Sequence, residues 1–169
     1  MNILEIMILE EEGGLFGNFA REIPLQLLNE YDFPVYRLEI DPDLVLIFYI
    51  FEVQKRYPVH FLENIFPSLK RIIWLSSERK FIDMMPPDEF NELLEQFEDT
   101  IPSAVILGVG DDKMTMMSEA LLHRGCYLGE QSSLYLWNQE DPQSSRQIWQ
   151  LIWSVHETPA EIVETPEVQ

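Results

Sequence analysis

Five apolar runs of strand length, at 3–9, 35–40, 71–75, 104–109 and 134–137, are spaced along this chain, with segments of helical character between most of them. The run at 104–109 is apolar without alternation, the pattern of a strand buried on both faces of a parallel sheet. Strands separated by helices build βαβ units with right-handed crossovers. The expected fold is α/β: a three-layer sandwich with a mostly parallel central sheet of about five strands and helices on both faces.

The helical segments differ in clarity. After Pro86-Pro87-Asp88, the side chains Phe90, Leu93, Leu94 and Phe97 recur at i, i+3, i+4 and i+7, one apolar stripe of a helix over 88–98. A helix over 17–30 would carry Phe19, Ile23, Leu27 and Leu28 on one side, with Pro24 as a kink. Asp41-Pro42-Asp43 has the order of an N-cap, a first-turn proline and a first-turn acid, which favours a helix over 42–56. Against it, LVLIFYIF is rich in β-branched and aromatic residues, so a buried strand is the alternative there. Further helices are expected near 59–66, over 112–124 with Gly125 ending it, and from Pro142 to about 155.

A chain of 169 residues, 46% hydrophobic and 12% aromatic, can close one core without metal or disulfide staples. One domain over 1–156 is expected, followed by a flexible acidic tail over 157–169, where ETP occurs twice and no apolar face recurs. Cys126 is the only cysteine, so no internal disulfide forms and a reducing, cytoplasmic compartment is expected. No basic leader opens the chain, and the longest apolar run, 44–51, is far short of the ~20 residues a membrane helix needs.

The formal net charge is −19, from thirty acidic and eleven basic side chains. Such a field repels phosphate, so direct nucleic-acid binding is not expected, and a protein partner, itself basic, is. The charge is uneven. Residues 53–82 hold Lys55, Arg56, Lys70, Arg71, Arg79 and Lys80 against only Glu63 and Glu78, a local surplus of +4. Lys70, Arg71, Arg79 and Lys80 are all expected at the surface.

In an open α/β sheet, ligands bind outside the carboxyl ends of the strands. Three loops there are more polar or glycine-rich than a simple connection requires. GGLFGN places Gly13, Gly14 and Gly17 after the first strand, where a phosphate loop stands. In outline it resembles the Walker A turn of P-loop NTPases, but Gly13 and Gly17 are one residue too close. Asn18-Phe19 also replaces the lysine and hydroxyl that contact phosphate and magnesium. The loop SSERK offers Ser76, Ser77, Arg79 and Lys80, and is the best of the three for an anion. GVGDDK places Asp111 and Asp112 where they serve either magnesium or, more simply, as a helix N-cap pair. On the final helix, Trp149, Ile152 and Trp153 fall at i, i+3 and i+4, a core stripe or a docking face for a partner.

No catalytic set, metal site or cofactor motif assembles from these residues. The function expected is therefore a non-catalytic interaction protein, that is, an adaptor, assembly factor or regulatory subunit. The alternative is a degenerate P-loop, RecA-like subunit that binds nucleotide or phosphate without hydrolysis. An acidic inhibitor mimicking nucleic acid is a third reading, which the basic segment opposes. Deleting 157–169 is expected to leave the thermal midpoint within a degree or two, since the tail has too little apolar surface to offset the ordering cost of its backbone. A fall of many degrees in the 1–156 chain would put the tail in the core.

Overall fold

Strand β1 (Asn2–Glu10) is the centre of the molecule, because from Ile6 onward no side chain of it reaches solvent freely. The computed structural model describes residues 1–11, 13–29, 33–53, 55, 64–77, 101–110, 113 and 132–154. Along these run β1, helix α1 (Leu15–Phe19), β2 (Gln26–Asn29), β3 (Val35–Asp41), β4 (Leu44–Glu52), β5 (Leu69–Ser77), β6 (Ser103–Val109), β7 (Ser132–Asn138) and helix α2 (Pro142–Ser154). A short 3-10 turn, Phe66–Ser68, leads into β5.

The seven strands form one mixed sheet in the order β2-β3-β4-β1-β5-β6-β7. Strands β4, β1, β5, β6 and β7 run parallel. Strands β2 and β3 are antiparallel additions on the β4 side. The α/β class with a largely parallel sheet is what the residues suggested, but there are seven strands where about five were expected. Both extra strands come from segments taken for helices.

The first is β4. Its residues are buried against β1 along nine paired positions, Asn2 with Leu44 through Glu10 with Glu52. The Asp41-Pro42-Asp43 segment is not a helix start. The Asp41 carboxylate accepts a hydrogen bond from the Asp43 N–H at 2.7 Å, an Asx turn that reverses the chain from β3 into β4. The second is β2. Helix α1 stops at Phe19, and after the turns around Pro24 the residues Gln26 and Leu27 pair with Arg37 and Tyr36. A helix over 17–30 would have needed a core for Leu27 and Leu28, and both are about half exposed on the edge strand. Most of 59–66, together with 88–98, most of 112–124, Cys126 and 157–169, lies outside the described residues.

Alternating side chains send β1 into two cores. Ile6 and Ile8 join Leu46, Phe48, Ile73, Leu75, Ala104 and Ile106 on one face, where α1 and α2 add Phe16, Phe19, Trp149 and Ile152. Met7 and Leu9 point the other way, with Phe51, Leu69, Ile72 and Phe33. On that second face Glu5 is tolerated because hydroxyls answer it. Ser68 donates a hydrogen bond to it, and so does Tyr49, whose own pKa burial and Glu5 push up to about 12.

The cations at the start of β5 divide by strand geometry. Lys70 is exposed as expected, but Arg71 is buried, at 4% exposure, because successive side chains of a strand point to opposite faces and both faces are covered here. No helix among the described residues is long and apolar enough to cross a membrane.

Phe48 is the natural test of the first core. It is fully buried and its ring lies 5.7 Å from Phe16 and 5.6 Å from Trp149. Phe48→Ala is expected to cost about 3–5 kcal/mol in denaturant unfolding. Leu151→Ala, on the exposed side of α2, is expected to cost under about 0.5 kcal/mol. Equal losses would place Phe48 outside the core.

Candidate functional site

The parallel strands β1, β5 and β6 are neighbours, so their carboxyl ends share one edge of the sheet. There Glu10 pairs with Glu52 of β4 and with Leu75 of β5, and Ser77 pairs with Gly108 of β6. The loop carrying Gly13, Gly14 and Gly17 leaves β1 at this edge. Gly14 sits at φ +93°, the left-handed conformation that favours glycine, and caps α1.

What fills the loop is the chain's own carboxylate. Glu10 Oε1 accepts a hydrogen bond from the Gly14 N–H at 3.2 Å, and Oε2 accepts one from the Phe16 N–H at 2.9 Å. The residue is only 5% exposed. Two loop amides, a kind of donor that can hold an anion, are here taken by a carboxylate of the chain itself. Burial raises the Glu10 pKa above the ordinary 4.5, with the Glu52 carboxylate adding a smaller push the same way. The two amide bonds and Lys55 pull it back down.

The residues around it have the same sign. An added side chain at Gly13 would sit about 3.3 Å from the Glu52 carboxylate, which also pairs with Lys55 at 2.5 Å. Glu11 is 3% exposed and accepts a hydrogen bond from the Ser76 hydroxyl at 2.6 Å. Of the residues expected to form an anion site here, Ser76 is buried and engaged with a carboxylate of the protein itself, and Ser77 is partly exposed. Arg79 and Lys80 of that loop, like Asp111 and Asp112, lie outside the described residues.

Where a Walker loop would carry its lysine and hydroxyl, Asn18 and Phe19 stand. The Asn18 amide oxygen accepts a hydrogen bond from Arg21 at 3.3 Å on the surface. Phe19 is 1% exposed, with its ring 5.1 Å from both Trp137 and Trp149. Gly17 has open space around it inside α1, so no neighbouring group of the chain requires a glycine there. In the α2 stripe, read from sequence as core or as docking face, the described residues Trp149 and Ile152 lie in the core, buried against α1 and the sheet, while Trp153 lies in the same helix. Among the described residues, no group of three or more His, Cys, Asp or Glu is arranged to hold a metal ion.

The residues that shape this edge, Glu10 and Glu11, were missed by reading loops alone. The signal was the run Glu10-Glu11-Glu12 against the glycines, acidic just where a phosphate loop needs neutral or positive surroundings.

No family model and no curated protein matches the chain. Solved structures do. Aquifex aeolicus Era bound to GDP·AlF4− matches with a TM-score of 0.55 at 10% sequence identity, over 100% of this chain and 61% of that one. The likeness is one of fold. Era in complex with MgGDPNP and nucleotides 1506–1542 of 16S ribosomal RNA matches with a TM-score of 0.52 at 12% identity and the same coverage. This chain spans about three-fifths of the length of those Era chains.

The comparison also corrects the partner expected from charge. A net charge of −19 led to the expectation that nucleic acid is not bound directly and that a basic protein is the partner. Yet a protein of this fold is found on ribosomal RNA. Net charge describes the far field, whereas contact with RNA is decided by local patches that a total cannot reveal.

The Glu10 contact has a pH signature. The folded chain holds the Glu10 proton more tightly than the unfolded chain, so stability contributed by this group is present below pH 4.5 and is lost as pH rises through the raised folded value. Glu10→Gln removes that titration while keeping the side chain's shape. Wild-type stability measured relative to this variant is expected to fall as pH rises from 4.5 through the raised folded value and to be flat beyond it. A difference that rises over that window would mean the two amide bonds outweigh burial.

Proposed function

We propose that this chain is a non-hydrolysing relative of P-loop GTPases in fold, serving as an interaction or regulatory subunit in a reducing compartment. The single observation that carries the reading is the Glu10 carboxylate on the Gly14 and Phe16 amides. It supports a closed loop, because a nucleotide phosphate would have to displace a tethered anion and then sit beside Glu52. Asn18 and Phe19 support the same reading from the chemical side. Neither supplies the lysine charge on the phosphates nor the hydroxyl on magnesium that phosphoryl transfer requires. The single cysteine supports the compartment. Burial of Met7 and Leu9 on the face away from α1 and α2 supports a three-layer arrangement with helices on both faces.

A second reading, contact with structured RNA, draws on the Era complex with 16S ribosomal RNA nucleotides. It needs no nucleotide in the loop and is compatible with a subunit that does no chemistry.

Fluorescent GDP and GTP analogues titrated with magnesium are expected to show no saturable binding below millimolar concentration, and GTP and ATP no turnover above the no-protein rate. Stoichiometric nucleotide released on denaturing the purified protein would overturn the proposal, as would hydrolysis that Gly14→Val abolishes. A gel shift with a 16S ribosomal RNA fragment, repeated at rising salt, decides the second reading. A shift that disappears in Lys70→Ala or Lys55→Ala would place the RNA on this chain's cations.

A further inference from the structure

Arg71 lies at the opposite end of the sheet from the closed loop, near the start of β5, and nothing proposed for that loop uses it. It pairs in register with Ile6 of β1, which assigns its side chain to the face of the first core. The residue is 4% exposed. Its Nε is buried with no hydrogen-bond partner among the described residues, and none of the ion pairs formed among them includes it. The electrostatic neighbour that favours its charge is Tyr135 of β7, a partly buried side chain packed on the same core.

A guanidinium does not shed its proton, so it cannot escape burial by becoming neutral. An unpaired charge in a protein interior is among the most destabilising arrangements a fold can carry. Burial already works against the charged form here, and Tyr135 opposes that only in part. A planar fork of N–H donors is matched in shape by a carboxylate or phosphate group, which takes two parallel hydrogen bonds.

We propose that Arg71 is a receptor for one oxyanion at the amino edge of the sheet. Two sources carry such a group: a free anion or anionic ligand, or a carboxylate of this chain, whose 157–169 segment holds Glu157, Glu161, Glu164 and Glu167. A tethered carboxylate would fill the site at millimolar effective concentration and mask it from added anions.

The test titrates inorganic phosphate and, separately, succinate into the full chain and the 1–156 chain, following the thermal midpoint at constant ionic strength set with chloride. A saturable rise in either chain is expected, with affinity lowered about tenfold or more in Arg71→Met and in Arg71→Lys, since each loses charge-assisted hydrogen bonds of the fork. A rise in both chains identifies a free anion as the source. A rise in the 1–156 chain alone identifies the chain's own carboxylates. Phosphate against succinate then separates the two anion types. Arg71→Lys keeps the charge, so it serves if Arg71→Met does not fold. Responses of the variants equal to wild type in both chains, or no response anywhere, would overturn the proposal and return Arg71 to a buried charge that the fold merely tolerates.

Discussion

The structure depends on burying β1 on every side. Its backbone pairs with β4 along one edge and β5 along the other, and Ile6 and Ile8 face one core while Met7 and Leu9 face the other. A strand with no free edge and no free face can exist only if both neighbours and both layers form with it. This accounts for the conversion of 44–52 from an expected helix into a strand. A helix there would have left one edge of β1 unpaired in an apolar interior, where each lost backbone hydrogen bond is costly. The apolar all-round character of LVLIFYIF, ambiguous by itself, is what a strand beside β1 requires.

The same burial sets the chemistry of the carboxyl edge. Glu10 is the last residue of β1 and inherits its lack of solvent, so its carboxylate must find donors nearby. The first turn of the following loop has them, in the Gly14 and Phe16 amides, and Gly14 can adopt the left-handed backbone that aims them. The arrangement is a glycine loop whose amides are satisfied from within the chain. Glu11 with Ser76 repeats the pattern one residue on.

Charge in this protein is organised by position more than by total. Carboxylates gather at the carboxyl edge around the glycine loop. A buried cation stands at the other end of the sheet. A count of −19 expresses neither fact. For this reason, the inference about Arg71 rests on where an individual group sits.

The sequence by itself determined the α/β class, the parallel strands at 3–9, 71–75, 104–109 and 134–137, the helix opened by Pro142, and the failure of the glycine loop as a Walker motif. These follow from local signals: apolar periodicity, turn residues, and the identity of Asn18 and Phe19. Tertiary structure alone decided that 26–29 and 44–52 are strands, that Arg71 and Ser76 are buried, that Trp149 and Ile152 are core, and that Glu10 closes the loop. Each of these depends on a neighbour distant in the chain, or on which of two faces is covered. The physical reason is common to all of them. Propensity and capping act over a turn or two and differ by about 1 kcal/mol between alternatives, whereas pairing and burial against β1 involve many contacts at once and outweigh them.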